Sequence, residues 1–462
     1  MDSPSLLSRR DAILKGVDPA WLPLIDTALL DGALGAIDAM GDAARTAPPP
    51  HLIFEALRYG APADTVAFVN AQDPYPTPGD AQGVCFSVPA GTALPESLKR
   101  IFGCLDRAGL RREHAAEDKK TVLVSGDLRP WAVQGVLMFN SALTTRVGER
   151  RAHAAAWKPF VDDFLRRFCA ERAAAGASVH FLLWGGDARA YAGLARRHKH
   201  AVHEWSHPSP LADNKLPEEA RFRACPHFEE VNAALAAAGR RPVVWDNLSP
   251  VVAFSDGSCP LNGKPGARAS FAALVTGAQF GAAVIRGEVC PTEYAFLDED
   301  DPERGIRETQ TLVAPSNNRG ELLGIIYAFL ALLRGRAVGR VELISDSEIS
   351  VNTLLDWLPK RLKKKTERDL KNYDLVMIAW RLLGLLREQA ACVVLTHTRS
   401  HQKPPPTSAP SRVRFVWKGN DMADKHADAP LTAPTADYAV EVLTAPAVLQ
   451  VFARPGASAP PL

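Results

Sequence analysis

The sequence has no run of apolar residues approaching the roughly 20 that a bilayer-crossing helix needs, so no membrane span is expected. It also lacks the apolar core of a secretory signal. Met1 to Gly16 carries Asp2, Arg9, Arg10 and Asp11 without an apolar stretch, and secretion is not expected. The 7 cysteines include no CxxC pair and no zinc-type spacing, and their number is odd. A disulfide framework is therefore not expected, and a reduced compartment inside the cell, nucleus or cytoplasm, fits best. Net charge is nearly absent, at +2. A polyanionic partner would then need a local basic face. One lies between Lys360 and Lys371, where Lys360, Arg361, Lys363, Lys364, Lys365, Arg368 and Lys371 outnumber Glu367 and Asp369. The same run would also serve as a solvated helix surface.

What is present is a long soluble-type chain. With 462 residues, 47% of them apolar and 23% charged, it is too long for one ordinary core, and two or three domains are expected. Trp21 to Met40 has helical apolar spacing and ends before Pro48-Pro49-Pro50. Thr65–Asn70, Val136–Phe139 and Val179–Trp184 read as buried strands, with amphipathic helices at Trp157–Cys169 and Phe228–Ala238 between or after them. Strands alternating with helices predict a parallel α/β sheet whose active loops follow the C-terminal strand ends. The pattern restarts near 246–250. Val251–Ser255 is a strand with hairpin partners at Phe271–Thr276 and Ala282–Ile285. A helix capped by Ser316 or Asn317 runs to about Arg334, and Val341–Ile344 is a further strand. Helices at Val351–Leu362 and Tyr373–Gln389, a strand at Cys392–Thr396 and a last helix from Gly419 follow. Residues 1–16 are expected to be loose, and 431–462 to be an Ala/Pro-rich tail.

Two ordered sets of acids and amides sit on these elements. In the first half, Asp73 follows a strand, where a carboxylate can orient water. Asn140 offers a donor and an acceptor that suit the edge of a pyrimidine. A neutral His207 can donate to charge building on a leaving base, Phe86 can stack on it, and Tyr75 can block a C5 substituent. Singly, each has a structural alternative: Asp-Pro starts turns, and a strand-end Asn commonly caps one.

Together QDPY (72–75), GVCFSV (83–88), QGVLMFNSALT (134–144), LLWG (182–185) and HPSPL (207–211) resemble the uracil-DNA glycosylase family, over about 17–247. The resemblance implies that Asp73 assists attack of water at the sugar C1′ and that His207 stabilises the departing uracil anion. It implies further that Gln72 contacts uracil through its backbone, Tyr75 excludes thymine, Phe86 stacks and Asn140 reads the base edge. Leu211 would wedge into the vacated stack, and Ser97 and Ser209 would pinch phosphates. No cofactor is implied for this half. Pro76, Ala71 and Gly186 stand where the family usually has His, Gly and Ser. The poxviral branch, in which the domain doubles as a polymerase processivity partner, also has Pro at the position of Pro76.

In the second half Asp256, Glu321, Asp346 and Asp424 come from separate elements. Carboxylates converging in this way are what paired Mg²⁺ ions need, although an acid at a strand end or in a first helical turn also serves as a cap. SDGS (255–258), SNNRGELLG (316–324), ISDSE (344–348), KNYDL (371–375), HTRSH (397–401) and GNDMADKHA (419–427) resemble type 1 ribonuclease H, over about 251–430. The resemblance implies that the four acids hold Mg²⁺ or Mn²⁺, that His401 helps product leave or shuttles a proton, and that Asn318 and Arg319 lie near the RNA strand. Asp421 rivals Asp424, and the GN..AD spacing favours Asp424.

The expectation is an α/β chain with an N-terminal parallel-sheet glycosylase fold and a mixed-sheet ribonuclease H-like domain. It would excise uracil from DNA and cut the RNA strand of RNA–DNA hybrids, with replication proteins as further partners. The alternative makes the first half mainly a DNA-binding or polymerase-docking module that tethers an active nuclease.

Overall fold

The computed structural model describes residues 6–115, 122–277, 281–429 and 440–443. Contacts divide the chain into two compact units, Met1–Leu248 and Ser249–Leu462.

The first unit is built on a four-stranded sheet. Its strands are β1 (Ala67–Ala71), β2 (Val136–Asn140), β3 (His180–Trp184) and β4 (Ala201–Trp205), in the order β2-β1-β3-β4 and all parallel. Every residue of β1 and β2 is buried, as expected where helices cover both faces of a parallel sheet. The covering helices include α1 (Leu6–Leu14), α2 (Thr27–Ala39), α3 (Glu96–Arg107), α4 (Ala154–Ala174) and α5 (His227–Ala237). Aromatic rings fill the space between layers. Phe164 packs at 5.8 Å from Trp21 and 5.0 Å from Phe139, and Phe54 stacks on Phe160 at 5.6 Å. A fully buried ring of this size contributes on the order of 2 kcal/mol through burial.

Register decides where this unit's chemistry can be. Ala71 on β1 sits opposite Asn140 on β2, and Trp184 on β3 opposite Trp205 on β4. The chain therefore leaves all four strands at one edge of the sheet.

The N-terminal segment differs from expectation. Residues 6–14, expected to be loose, form helix α1, with Ile13 fully buried and Arg9 ion-paired to Asp38 of α2. One buried apolar side chain and a buried arginine with its carboxylate partner hold the helix down.

The second unit has a six-stranded mixed sheet. Strands β5 (Val251–Ser258), β6 (Ser270–Gly277) and β7 (Gly281–Glu288) form an antiparallel meander, and β8 (Thr292–Phe296) and β9 (Ile306–Leu312) form a separate hairpin. Helix α6 (Asn317–Arg334) follows, then β10 (Arg340–Ser345), which lies parallel to β5. Next come α7 (Glu348–Asn352), a π-helical turn (Thr353–Trp357), α8 (Leu358–Lys364) and α9 (Tyr373–Gln389). Strand β11 (Cys392–His397) pairs parallel with β10, and α10 (Ser411–Asp428) crosses β5 and β6. The last helix thus begins eight residues earlier than the sequence pattern indicated, because Val416 and Phe415 pack on the sheet's second face with Phe254. Part of the expected tail also has a place: β12 (Val440–Leu443) pairs antiparallel with β7 at the sheet edge. The remainder of 431–462 lies outside the described residues.

Candidate active sites

The first site forms where β1, β2, β3 and β4 end. Gln72, Asp73, Tyr75, Phe86, Ser97, Asn140 and His207 line one cavity. Gly185, at φ +89°, is required for the approach of His207: a Cβ there would lie 2.9 Å from the histidine Cβ.

The polar groups have defined states. The Ser209 backbone N–H donates to His207 Nδ1 at 3.0 Å. That nitrogen must carry no proton, so the neutral ring holds its proton on Nε2, ready to donate. Burial pushes the His207 pKa down, which favours the same neutral form. Asn140 is 6% exposed, and its side-chain oxygen is buried without a partner among the described residues. A buried unpaired amide oxygen is costly, and a ligand donor would relieve it. Asp73 accepts from the Arg151 backbone N–H at 2.7 Å, and burial is the main cause of its raised pKa. The Tyr75 hydroxyl donates to the Phe86 carbonyl at 3.2 Å, which fixes the Tyr75 ring against the loop that carries Phe86. The Phe86 ring lies 6.1 Å from that of His207 and 5.7 Å from that of Trp184. Ser209 caps a short helical turn, Pro210–Asp213, and Leu211 projects from it, 77% exposed.

The motif reading did not single out the loop that bears on Asp73. Besides the Arg151 backbone contact, the Arg151 guanidinium reaches Asp187 at 3.2 Å and donates to the Gln72 side-chain oxygen at 2.8 Å, with the amide oriented to accept. The loop is anchored by Asp42, which is fully buried and accepts from Arg146 Nε at 2.8 Å, with His153 Nε2 3.2 Å away. The Arg146 guanidinium holds the Asp42 carboxyl well below the usual carboxylate range. The only signal in the sequence is a doublet of arginines ten residues after Asn140.

The second site rests on a close backbone approach. Ser255 on β5 lies opposite Ser345 on β10, so Asp256 and Asp346 follow from adjacent parallel strands. Gly257 then meets the first turn of α6: a Cβ on it would fall 2.2 Å from the Glu321 backbone nitrogen. Only glycine permits this contact, and it brings Glu321 to the two aspartates. One carboxylate oxygen from each of Asp256, Glu321 and Asp346 lies within 4.8 Å of the others. Asp256 and Glu321 are 5% and 6% exposed. Burial, then the charge of Asp346, pushes Asp256 up to about 8. Burial, then the charges of Asp256 and Asp346, pushes Glu321 up to about 10.

Partners inside the protein are few. Asp256 Oδ1 accepts from Gly257 N at 2.8 Å, Glu321 Oε1 from Asn317 at 3.3 Å, and Asp346 Oδ2 from Asn420 at 3.3 Å. Glu321 Oε2 and Asp346 Oδ1 are buried with no partner among the described residues. An all-oxygen set of crowded carboxylates with unpaired buried oxygens fits a hard divalent cation. Asp424, 32% exposed, lines the same cleft and adds to the repulsion on Asp256 and Glu321. It stands outside the tight group of three. His401 is 78% exposed, with Nδ1 3.8 Å from Asp424 Oδ2. Asp421 instead pairs with Lys425 at 2.7 Å. Asn318 lines the cleft.

Arg319 does not. Its side chain is 1% exposed and grips Asp374 at 2.8 and 3.0 Å and the Thr292 carbonyl at 2.8 Å. The expectation that it lies near an RNA strand is corrected. The β8–β9 hairpin and α9 enclose this face of α6, and the arginine ties the three together.

Comparison with known proteins agrees with this division. Residues 57–236 match the family model of the uracil DNA glycosylase superfamily, and residues 249–431 match that of RNase H. A uracil-DNA glycosylase of Chromobacterium violaceum is 36% identical over 238 residues, which span 50% of this chain and 92% of the relative. One of Campylobacter concisus is 34% identical over 235 residues, 50% of this chain and 94% of that protein. One of Chlamydia trachomatis is 39% identical over 207 residues, 44% of this chain and 81% of that protein. With relatives of this identity covered almost end to end by its first half, and with its acid cluster inside the second matched segment, the chain belongs to the uracil-DNA glycosylase family and carries an RNase H domain behind it, an enzyme whose two halves are both hydrolases.

Proposed function

We propose that the chain excises uracil from DNA by hydrolysing the N-glycosidic bond, and that its second domain cleaves the RNA strand of RNA–DNA hybrids by two-cation catalysis. The observation that carries the first activity is the unpaired buried oxygen of Asn140, in the same cavity as a His207 whose tautomer is set for donation.

In this reading a uracil extruded from the duplex enters the cavity, stacks on Phe86 and presents its edge to Asn140. Tyr75, held by the Phe86 carbonyl, closes the space that a thymine methyl would need. As the base leaves, negative charge builds on it, and the His207 Nε2–H donates to that charge. The Asp73 carboxylate, oriented by the Arg151 backbone N–H, orients the water that attacks the sugar. Leu211 fills the gap left in the stack, and Ser97 and Ser209 hold phosphates.

In the second domain Asp256, Glu321 and Asp346 would hold Mg²⁺ or Mn²⁺, with Asp424 completing the set. Bound there, the cations supply activation of the attacking water and stabilisation of the leaving 3′ oxygen. Asn317 and Asn420 orient the ligand carboxylates, and Asn318 lies in the cleft where the RNA strand would run. His401, exposed at the cleft edge beside Asp424, would move a proton or help product leave. In this reading the enzyme would work inside the cell, in nucleus or cytoplasm, beside replication proteins.

The test is release of free uracil from single- and double-stranded DNA, set beside hybrid cleavage, with wild-type protein and Asp73→Asn. Uracil release that disappears in the variant while DNA binding persists supports the chemistry. Binding without release in the wild type would instead make the first half a DNA-binding or polymerase-docking module.

A further inference from the structure

We propose that Arg150 is a phosphodiester-binding subsite at the mouth of the glycosylase cavity, gripping a backbone phosphate of the extruded nucleotide. The inference rests on the glycosylase reading and adds a DNA contact to it.

Arg150 lines the cavity together with Asp73, Ser97 and His207, yet its side chain is exposed. Its backbone is held on both sides. Glu149 is fixed through its carbonyl, which accepts from Thr145 Oγ1 at 2.6 Å, and through its ion pair with Arg146. Arg151 is fixed by Asp73, Asp187 and Gln72. Arg146 in turn is anchored on buried Asp42. The loop therefore delivers Arg150 to the rim on a rigid frame.

The neighbouring arginines are both spent on carboxylates of the protein, Arg146 on Asp42 and Arg151 on Asp187. Among the described residues no carboxylate closes on the Arg150 guanidinium as an ion pair. Its charge is nonetheless felt at Asp73, Tyr75 and His207, which places it near the reacting centre.

A free guanidinium there has two conceivable partners, the base or the backbone. The base is already supplied with polar groups deep in the cavity by Asn140 and His207. A nucleotide entering base-first leaves its phosphates at the rim, where Arg150 is. The planar fork of arginine suits two phosphate oxygens at once.

The experiment measures binding of wild type, Arg150→Ala and Arg150→Lys to DNA carrying one 2′-fluorinated deoxyuridine. The electron-withdrawing fluorine disfavours a cationic sugar, so binding is read without turnover. Affinity is followed from low to moderate salt, and inhibition by free uracil is measured in parallel. We expect Arg150→Ala to weaken binding roughly tenfold at low salt, the scale of one charge-assisted hydrogen bond. It should also reduce the slope of log affinity against log salt by about one, as loss of a single phosphate contact does. Arg150→Lys should keep the slope, and uracil inhibition should not move. An unchanged slope overturns the proposal, whether or not uracil inhibition weakens; weakened inhibition would assign Arg150 to the base. Uracil release from the unfluorinated DNA by wild type is recorded alongside. Its absence would sink the glycosylase reading, while the salt slope would still judge Arg150.

Discussion

The two sites solve opposite electrostatic problems. The glycosylase cavity holds one carboxylate, satisfied by the Arg151 backbone N–H, and one neutral imidazole whose protonation state is set by the backbone of its own loop. Among the described residues its unmet demand is two buried amide oxygens, those of Asn140 and Gln82. The nuclease cleft packs three carboxylates within 4.8 Å, two of them nearly dry, and leaves two buried oxygens unpaired. The first site carries no crowding of like charge, whereas the second cannot be comfortable at neutral pH until positive charge or protons arrive. Like charges in a low-dielectric setting raise each other's pKa, and a divalent cation reverses the balance.

The broadest test of that contrast is chelation. EDTA should abolish hybrid cleavage and leave uracil release from the same sample unchanged, both read by gel and by free-base chromatography. Loss of both activities would mean that the division of labour is wrong. Next in size, Asp73→Asn should lower the single-turnover rate of uracil release by about 10²–10⁴-fold, the range for a positioned acid or base. Hybrid cleavage by that variant should stay at the wild-type level.

The third prediction concerns pH. In the proposed mechanism uracil release needs Asp73 ionised and His207 neutral. The Asp73 pKa is raised by burial and that of His207 is lowered, so the rate should rise through an apparent pKa above the ordinary carboxylate range and then stay level through neutrality. A rate that instead fell on passing from pH 6 to 8 would contradict the assigned protonation states.

The fourth concerns stability. Asp256 and Glu321 have folded pKa values raised to about 8 and about 10. The folded state therefore binds protons more tightly than the unfolded chain. The associated stabilisation is full below the ordinary carboxylate pKa and is lost as pH rises through those folded values. In metal-free protein at neutral pH, Asp346→Asn and Glu321→Gln should raise the melting temperature of the second unit by a few degrees, and Mg²⁺ should raise it in wild type but much less in the variants. The smallest expected effect is that of His401→Ala. The side chain is 78% exposed, and its loss should slow steady-state hybrid cleavage severalfold without shifting the melting temperature.

Much of both sites was legible in the sequence for a definite reason. Asp73, Asn140, Asp256 and Asp346 all stand at or just beyond apolar runs that read as buried strands, and strands that pair in parallel deliver their C-terminal residues to a common edge. The β8–β9 hairpin was not legible. Its second strand, IRETQTL, is exposed or half-exposed along its whole length, so no face of it carries a hydrophobic pattern. Arg319 was misplaced for a related reason. A helix-start arginine in a polar motif looks solvent-facing until a hairpin and a helix from distant sequence close over it. The Arg150–Arg151 loop was missed because its hold on Asp73 is through a backbone N–H, which every non-proline residue has and no motif records.

By itself the sequence determined which chemical groups exist, their order along two successive half-chains, and the strand ends that carry them. Those follow from local hydrophobic patterning. Only the tertiary structure decided that Glu321 reaches Asp256 across a glycine contact, that His207 Nδ1 is occupied by Ser209, and that Arg319 is interior while Arg150 is exposed at the cavity. Such facts depend on which atoms distant segments bring within a few ångströms, and in a low-dielectric interior those few ångströms set both protonation and partner.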